Sequence, residues 1–222
     1  MQKNRIQLFV ATGLAWNVAA ATYSTNGLSL AIPDGNAAGV SSIITVPDFY
    51  DIASITLTLD ISGAFNGDLY AYVRHDSGFA VLLNRVGRSG SLAGGYADTG
   101  FSITFDDAAA SDVHTYRAGA FTLNGNGQLT GTWQPDGRGA DPELSLDISP
   151  RSEFLSDFNN APVNGQWTLF LADVSGGGGQ STLNSWSVTV NPVPEPSTVV
   201  MFVLGGLGIF FLARGSGGRR SS

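Results

Sequence analysis

Apolar residues return at every second position in four separate runs of this chain, and no stretch between its two ends carries a long helical period. Ile55, Leu57, Leu59 and Ile61 alternate with Thr56, Thr58 and Asp60. Phe101, Ile103 and Phe105 alternate with Ser102, Thr104 and Asp106, and Trp186, Val188 and Val190 with Ser187 and Thr189. A β-strand sends successive side chains to opposite faces, so each run has one face for a core and one for water. Trp167, Leu169 and Leu171 alternate instead with Thr168, Phe170 and Ala172, which makes that strand apolar on both faces and places it centrally. Shorter strands are expected over 43–46, 69–73, 79–83 and 129–133. Turn residues part them: Asn66-Gly67-Asp68, Asp76-Ser77-Gly78, Asn124-Gly125-Asn126-Gly127, Asp136-Gly137, Asn164-Gly165 and the run Gly176 to Gly179. Only 152–158 has room for a helical turn or two. Strands at this spacing predict an all-β fold, a two-sheet β-sandwich of jelly-roll type.

Composition agrees and narrows the chemistry. Charged residues make up 13% of the chain and 29 of its 222 residues are Gly, which suits sheets joined by tight turns. With no Cys, disulfides, thiolate zinc sites and a cysteine nucleophile are excluded. The formal charge of -7 understates the acidity of the middle. Residues 22–192 hold six basic and seventeen acidic residues, a charge of -11, and no Lys. A surface of that sign has nothing to offer nucleic acid.

Both ends differ from the middle. Over 1–21, Lys3 and Arg5 precede a mostly apolar Ile6 to Ala15, and Ala19-Ala20-Ala21 supplies small residues for cleavage. That is the order of a secretory signal peptide, whose partners are the translocon and signal peptidase. At the other end Val193-Pro194-Glu195-Pro196-Ser197 is followed by an uncharged run over 198–213 and by Arg214, Arg219 and Arg220 in a basic tail over 214–222. The run is short for a transmembrane helix, and the arginines beyond it fit a cytoplasmic flank. The chain thus divides into a signal peptide (1–21), a β-sandwich (22–191) and a C-terminal segment with a single transmembrane helix (192–222), in type I orientation before processing.

The C-terminal pattern resembles a PEP-CTERM sorting signal, in which a Pro-Glu-Pro motif, a short apolar helix and an Arg cluster coincide at the end of the chain. The motif lies at Val193, Pro194, Glu195, Pro196 and Ser197. The resemblance implies recognition by an exosortase, a membrane transpeptidase-like enzyme of Gram-negative bacteria, followed by release or attachment at the cell surface or in an extracellular polysaccharide matrix. The middle resembles the P domain (P/Homo B) that accompanies subtilisin-like proprotein convertases. The residues that carry this are Ile32-Pro33-Asp34-Gly35-Asn36, Gly67-Asp68-Leu69 after the strand 55–61, and Phe158-Asn159 followed by Gly165-Gln166-Trp167-Thr168-Leu169 and Asp173. The closing strand Leu183 to Val188 completes the match. In that family the domain is a β-sandwich that packs on a protease domain and stabilises it; with a signal peptide expected directly before this one, no subtilisin-like domain is expected to precede it. Trp167 and Trp186 are expected as core anchors, and Gly67 and Gly165 as turns that a side chain would obstruct.

Few residues suggest chemistry. His75 and His114 are the only histidines; both are expected in solvent, too far apart in sequence for a zinc motif. Ser89 lacks the Gly-x-Ser-x-Gly elbow. Glu143 and Glu153 are the only glutamates before the sorting motif, in loop-like stretches. Asp106, Asp107, Asp112 and Asp173 lie at strand ends, where loop carboxylates and carbonyls supply calcium with oxygen ligands; these four are the candidate calcium set. Tyr70 and Tyr72 share the face opposite Leu69, Ala71 and Val73 and are candidates for sugar stacking. The expected protein is an exported, non-enzymatic component of the cell surface or extracellular matrix, structural or adhesive and associated with exopolysaccharide. Two alternatives stand: a carbohydrate-binding module, or the stabilising partner of a separately encoded subtilisin-like protease.

Overall fold

The computed structural model describes residues 19–194; residues 1–18 of the expected signal peptide, the expected transmembrane helix and the basic tail lie outside them, and Ala21, the last residue assigned to that signal, already belongs to the first strand. Eleven strands form two sheets. The larger sheet contains β1 (Ala21–Thr25), β2 (Leu30–Ile32), β4 (Ile52–Ser62), β7 (Gly100–Phe105), β8 (Thr122–Leu123), β9 (Leu129–Trp133) and β11 (Ser181–Pro192), in the order β1-β11-β4-β7-β9-β8 with β2 also on β11. The smaller sheet runs β3-β10-β5-β6, from β3 (Asn36–Val46), β10 (Gly165–Asp173), β5 (Leu69–His75) and β6 (Gly78–Asn84). All pairs are antiparallel except β7 with β9. Short 3-10 turns occupy Asn66–Asp68, Val113–Ala118 and Leu155–Phe158. Among the described residues no helix is long and apolar enough to cross a membrane.

The predicted alternation is the sandwich interior. Leu57, Leu59 and Ile61 of β4, Phe101 and Phe105 of β7 and Val188 and Val190 of β11 are fully buried, and they face Leu69, Ala71, Val73, Leu169 and Leu171 of the smaller sheet. The strand with two apolar faces, β10, lies between β3 and β5. Trp167 and Trp186 are among the largest side chains with no exposed surface. Each finds a partner for its indole N–H, Trp167 at the Val163 carbonyl (3.0 Å) and Trp186 at the Ser42 hydroxyl (2.9 Å), so neither buries a bare donor. Gly67 is required by close approach, because a Cβ there would lie 2.3 Å from the Gly94 carbonyl oxygen. Gly165 is required by its φ of +125°, where it opens β10.

The sequence pattern missed β1, β2 and β8. They are short edge or near-edge strands, and β1 alternates only between half-buried and exposed residues. Pairing places them: Ala21 lies opposite Val190 and Leu30 opposite Leu183. Both ends of the described chain therefore leave from one pole, where the Val193 amide also donates to the Asp51 carbonyl (2.8 Å) in the β3–β4 connection. The opposite pole carries the Asp34-Gly35 turn, the Asn66–Asp68 turn and the glycine run between β10 and β11.

Candidate functional site

The structure separates the four candidate calcium ligands. Asp107 accepts from the amides of Leu155 (3.2 Å) and Ser156 (2.7 Å) and so caps the 3-10 turn there, while Asp106 closes a local turn onto Ala108. Asp112 accepts from the His114 amide (2.8 Å) and pairs with Arg138 (2.9 Å). Their oxygens serve backbone amides and an arginine. Asp173 lies at the opposite pole, where the like charges it feels and exerts are those of Asp34 and Asp68. Its Oδ1 accepts from Ser175 (3.1 Å) and Gly35 (3.4 Å), and its Oδ2 is buried without a partner. Among the described residues no three His, Cys, Asp or Glu side chains form a group that would hold a metal ion.

Burial raises the Asp173 carboxyl above the usual carboxylate range, with the Asp34 charge adding to it, against the Ser175 and Gly35 amides. Asp68 is raised in turn by burial and by Asp173, although Arg85 stands 3.8 Å away. A raised carboxyl stabilises the fold when protonated, and that contribution is lost as pH climbs through its folded value. Asp173→Asn keeps an oxygen for the two amides and removes the charge. We expect it to stabilise the domain at neutral pH by about 0.5–2 kcal/mol, read as a higher melting temperature.

Tyr70 and Tyr72 lie where the alternation put them, half-buried on the outer face of the smaller sheet. They belong to a cluster of four aromatic rings. Tyr72 stacks on Phe170 of β10, with centroids 4.8 Å apart and an interplanar angle of 16°, and its ring lies 5.0 Å from Phe79 of β6. Tyr70 meets both Tyr72 and Phe170 edge-on. Tyr72 thus turns one ring face onto Phe170, and the four rings form a cross-strand aromatic cluster that links three strands.

Both histidines are buried, against expectation. His75 stacks on Trp167 (4.6 Å) and is held by Ser77 and the Asn164 carbonyl. His114, with no exposed surface, places Nδ1 2.8 Å from Asp136 Oδ2 and Nε2 3.0 Å from the Arg88 carbonyl oxygen. Two acceptors on one imidazole call for two N–H donors, the charged form. Burial pulls the His114 pKa down, but Asp136 and the Arg88 carbonyl outweigh it and hold the ring above its ordinary value. Arg138 completes a buried network, reaching Asp136 Oδ1 (3.1 Å), Asp112 and the Asp147 carbonyl (2.8 Å). His114 and Asp136 form a histidine–carboxylate pair without free catalytic nitrogen. Nothing local in sequence signals this network, whose partners come from three separate connections between strands.

Of the sorting motif, Val193 and Pro194 are described and Glu195, Pro196 and Ser197 lie beyond. Pro192, the last residue of β11, pairs with Ile52, so ordered strand runs directly into the motif.

Residues 192–220 match the PEP-CTERM protein-sorting motif family. No curated protein matches the chain. Solved structures to which the chain shows a likeness include the serine protease of Aeromonas sobria in complex with the chaperone, at 12% identity over 79% of this chain and 26% of that one, with a TM-score of 0.40. The same protease alone gives 10% identity, the same coverage and a TM-score of 0.41. The infectious bursal disease virus Gt strain gives 9% identity over 84% of this chain and 36% of that one, with a TM-score of 0.27. The chain thus spans about a quarter of the length of the first two.

Proposed function

We propose that this is a non-enzymatic component of the cell surface or extracellular matrix, a P-domain-like sandwich of jelly-roll type that an exosortase delivers and that works by adhesion within exopolysaccharide. The observation that carries the reading is the sorting motif over 192–220, which implies export, association with the cell envelope and an exosortase as processing partner. Its position supports the rest. The motif begins where the last strand ends, so the whole folded domain lies on the exported side of the processing point. The P-domain reading is supported by the placement of its motif residues: Trp167 and Trp186 in the core, Gly67-Asp68-Leu69 at the entry to β5, and Asp173 at the end of β10. The jelly-roll reading is supported by the chain passing repeatedly between the sheets, from β3 to β4 to β5 and from β9 to β10 to β11.

The test is processing in the native host. With one epitope near residue 25 and another after Ser222, the wild-type chain is expected to lose the second epitope and to keep the first in the surface or medium fraction. Replacing Pro194, Glu195 and Pro196 with Ala is expected to leave most of the chain at full length in the membrane. Retention of the C-terminal epitope by the wild type would indicate a plain membrane anchor and overturn the proposal.

A further inference from the structure

The outer face of the larger sheet is a field of hydroxyl groups whose order is visible only once the strands are paired. One row crosses five strands: Ser24 of β1, Ser187 of β11, Thr58 of β4, Thr104 of β7 and Thr132 of β9 stand opposite one another in turn. A second row runs beside it through Ser185, Asp60, Ser102, Thr130 and Thr122. Thr22, Thr189 and Thr56 begin a third. All of these residues are exposed or half-buried. Strand geometry spaces the hydroxyls by about 4.8 Å across the sheet and about 6.7 Å along it.

The rows end in a cleft. At the β8–β9 edge a cavity of about 300 Å³ is lined by Ser111, Thr122, Thr130, Thr132, Phe121 and Trp133, with only Ala and Gly besides. Gly131, at a φ of +103°, contributes backbone and no side chain to the lining. The Phe121 ring rests on the Arg117 guanidinium (5.4 Å), whose charge Asp98 neutralises. Trp133 is fixed by donating its N–H to the Thr130 carbonyl (2.9 Å).

Charge identifies the occupant. No ionisable side chain lines this cleft, and Asp60 is the only charged residue in the rows, in a domain with seventeen acids. An anionic ligand finds no cation here and meets an acidic protein around it; a cationic one finds no carboxylate to pair with. What such a surface satisfies is a ligand that is itself dense in groups both donating and accepting hydrogen bonds, and that offers C–H faces to an aromatic ring.

We infer that the hydroxyl rows and the Phe121 cleft form a binding face for an uncharged polysaccharide. This deepens the adhesive reading above and rests on it for the source of the glycan, but the binding itself is measured on purified protein. The experiment is native affinity electrophoresis of the full chain in detergent, through gels containing dextran, mixed-linkage β-glucan or galactomannan, with alginate as the anionic comparison. At least one neutral polymer is expected to retard the chain and alginate is not. Phe121→Ala and Thr132→Glu, both at exposed positions, are each expected to weaken retardation about tenfold or more, about 1.4 kcal/mol, with an unchanged melting temperature. Tyr70→Ala, on the other sheet, is expected to leave it intact. Failure of all three neutral polymers, retardation by alginate alone, or loss with Tyr70→Ala but not with Phe121→Ala would overturn the inference. Because processing is scored separately in the host, a failure of binding leaves the sorting result standing.

Discussion

Asp136→Ala is expected to destabilise the domain by about 3–5 kcal/mol, the cost of leaving buried charges without their counter-ion. The Asp136 carboxylate is completely buried and accepts from the His114 ring (2.8 Å), the Arg138 guanidinium (3.1 Å) and the Asn84 amide (3.1 Å). Removing it strands one imidazolium and one guanidinium, both almost without solvent, with only Asp112 in reach of the latter. Against a total stability of about 5–15 kcal/mol, that is a large share. Urea denaturation at pH 6 measures it, and a midpoint within error of wild type would refute the account. The same network sets a pH dependence. His114 is raised above its unfolded value of about 6.5, so its contribution is complete below that pH and disappears as pH rises through the folded value. Wild type is therefore expected to lose stability above neutrality, and His114→Gln to show a flatter profile over that range.

Trp167→Ala is expected to cost about 3–5 kcal/mol through the cavity it leaves. The indole sits between the His75 ring (4.6 Å, near parallel) and Phe158 (4.8 Å) and closes the Val163 carbonyl with its N–H. Truncation removes the stacking surface, leaves a void in the core at the start of β10 and orphans a buried acceptor. Trp167→Phe keeps most of the volume but still orphans the acceptor, so it should fall between wild type and Ala. Thermal melting followed by near-ultraviolet circular dichroism ranks the three; Phe as damaging as Ala would show that the hydrogen bond, not the volume, dominates.

What could be read before folding follows a physical division. Strands that bury one face, such as β4, β7 and β11, announce themselves because a period of two is a property of consecutive residues. The strands β1, β2 and β8 are held by partners far along the chain, Ala21 by Val190 and Leu30 by Leu183, and their own sequences carry little of that. The same distinction separates the sites. The alternation puts Tyr70 and Tyr72 on one outer face, but the stacking of Tyr72 on Phe170 is something only pairing across strands reveals. The four acids were proposed together because three of them are close in sequence, yet Asp173 stands at the other pole. His114 was expected in solvent because its acceptors, Arg88 and Asp136, lie 26 and 22 residues away. The hydroxyl rows were half visible, as Thr and Ser on the polar side of each alternating run. Register alone aligned them.

The pairing of the first strand with the last also orders events in time. The strand β11 binds β1, β2 and β4, and it is the final strand before the sorting motif. A chain crossing the membrane N-terminus first cannot close its larger sheet until residue 192 has emerged, at the moment the sorting segment arrives. Contacts so distant in sequence are slow to form and leave unpaired edges exposed while they wait. Completion of the fold and presentation of the processing motif are thus a single event in this topology. A domain that fails to place β11 reaches the sorting machinery with its sheet still open.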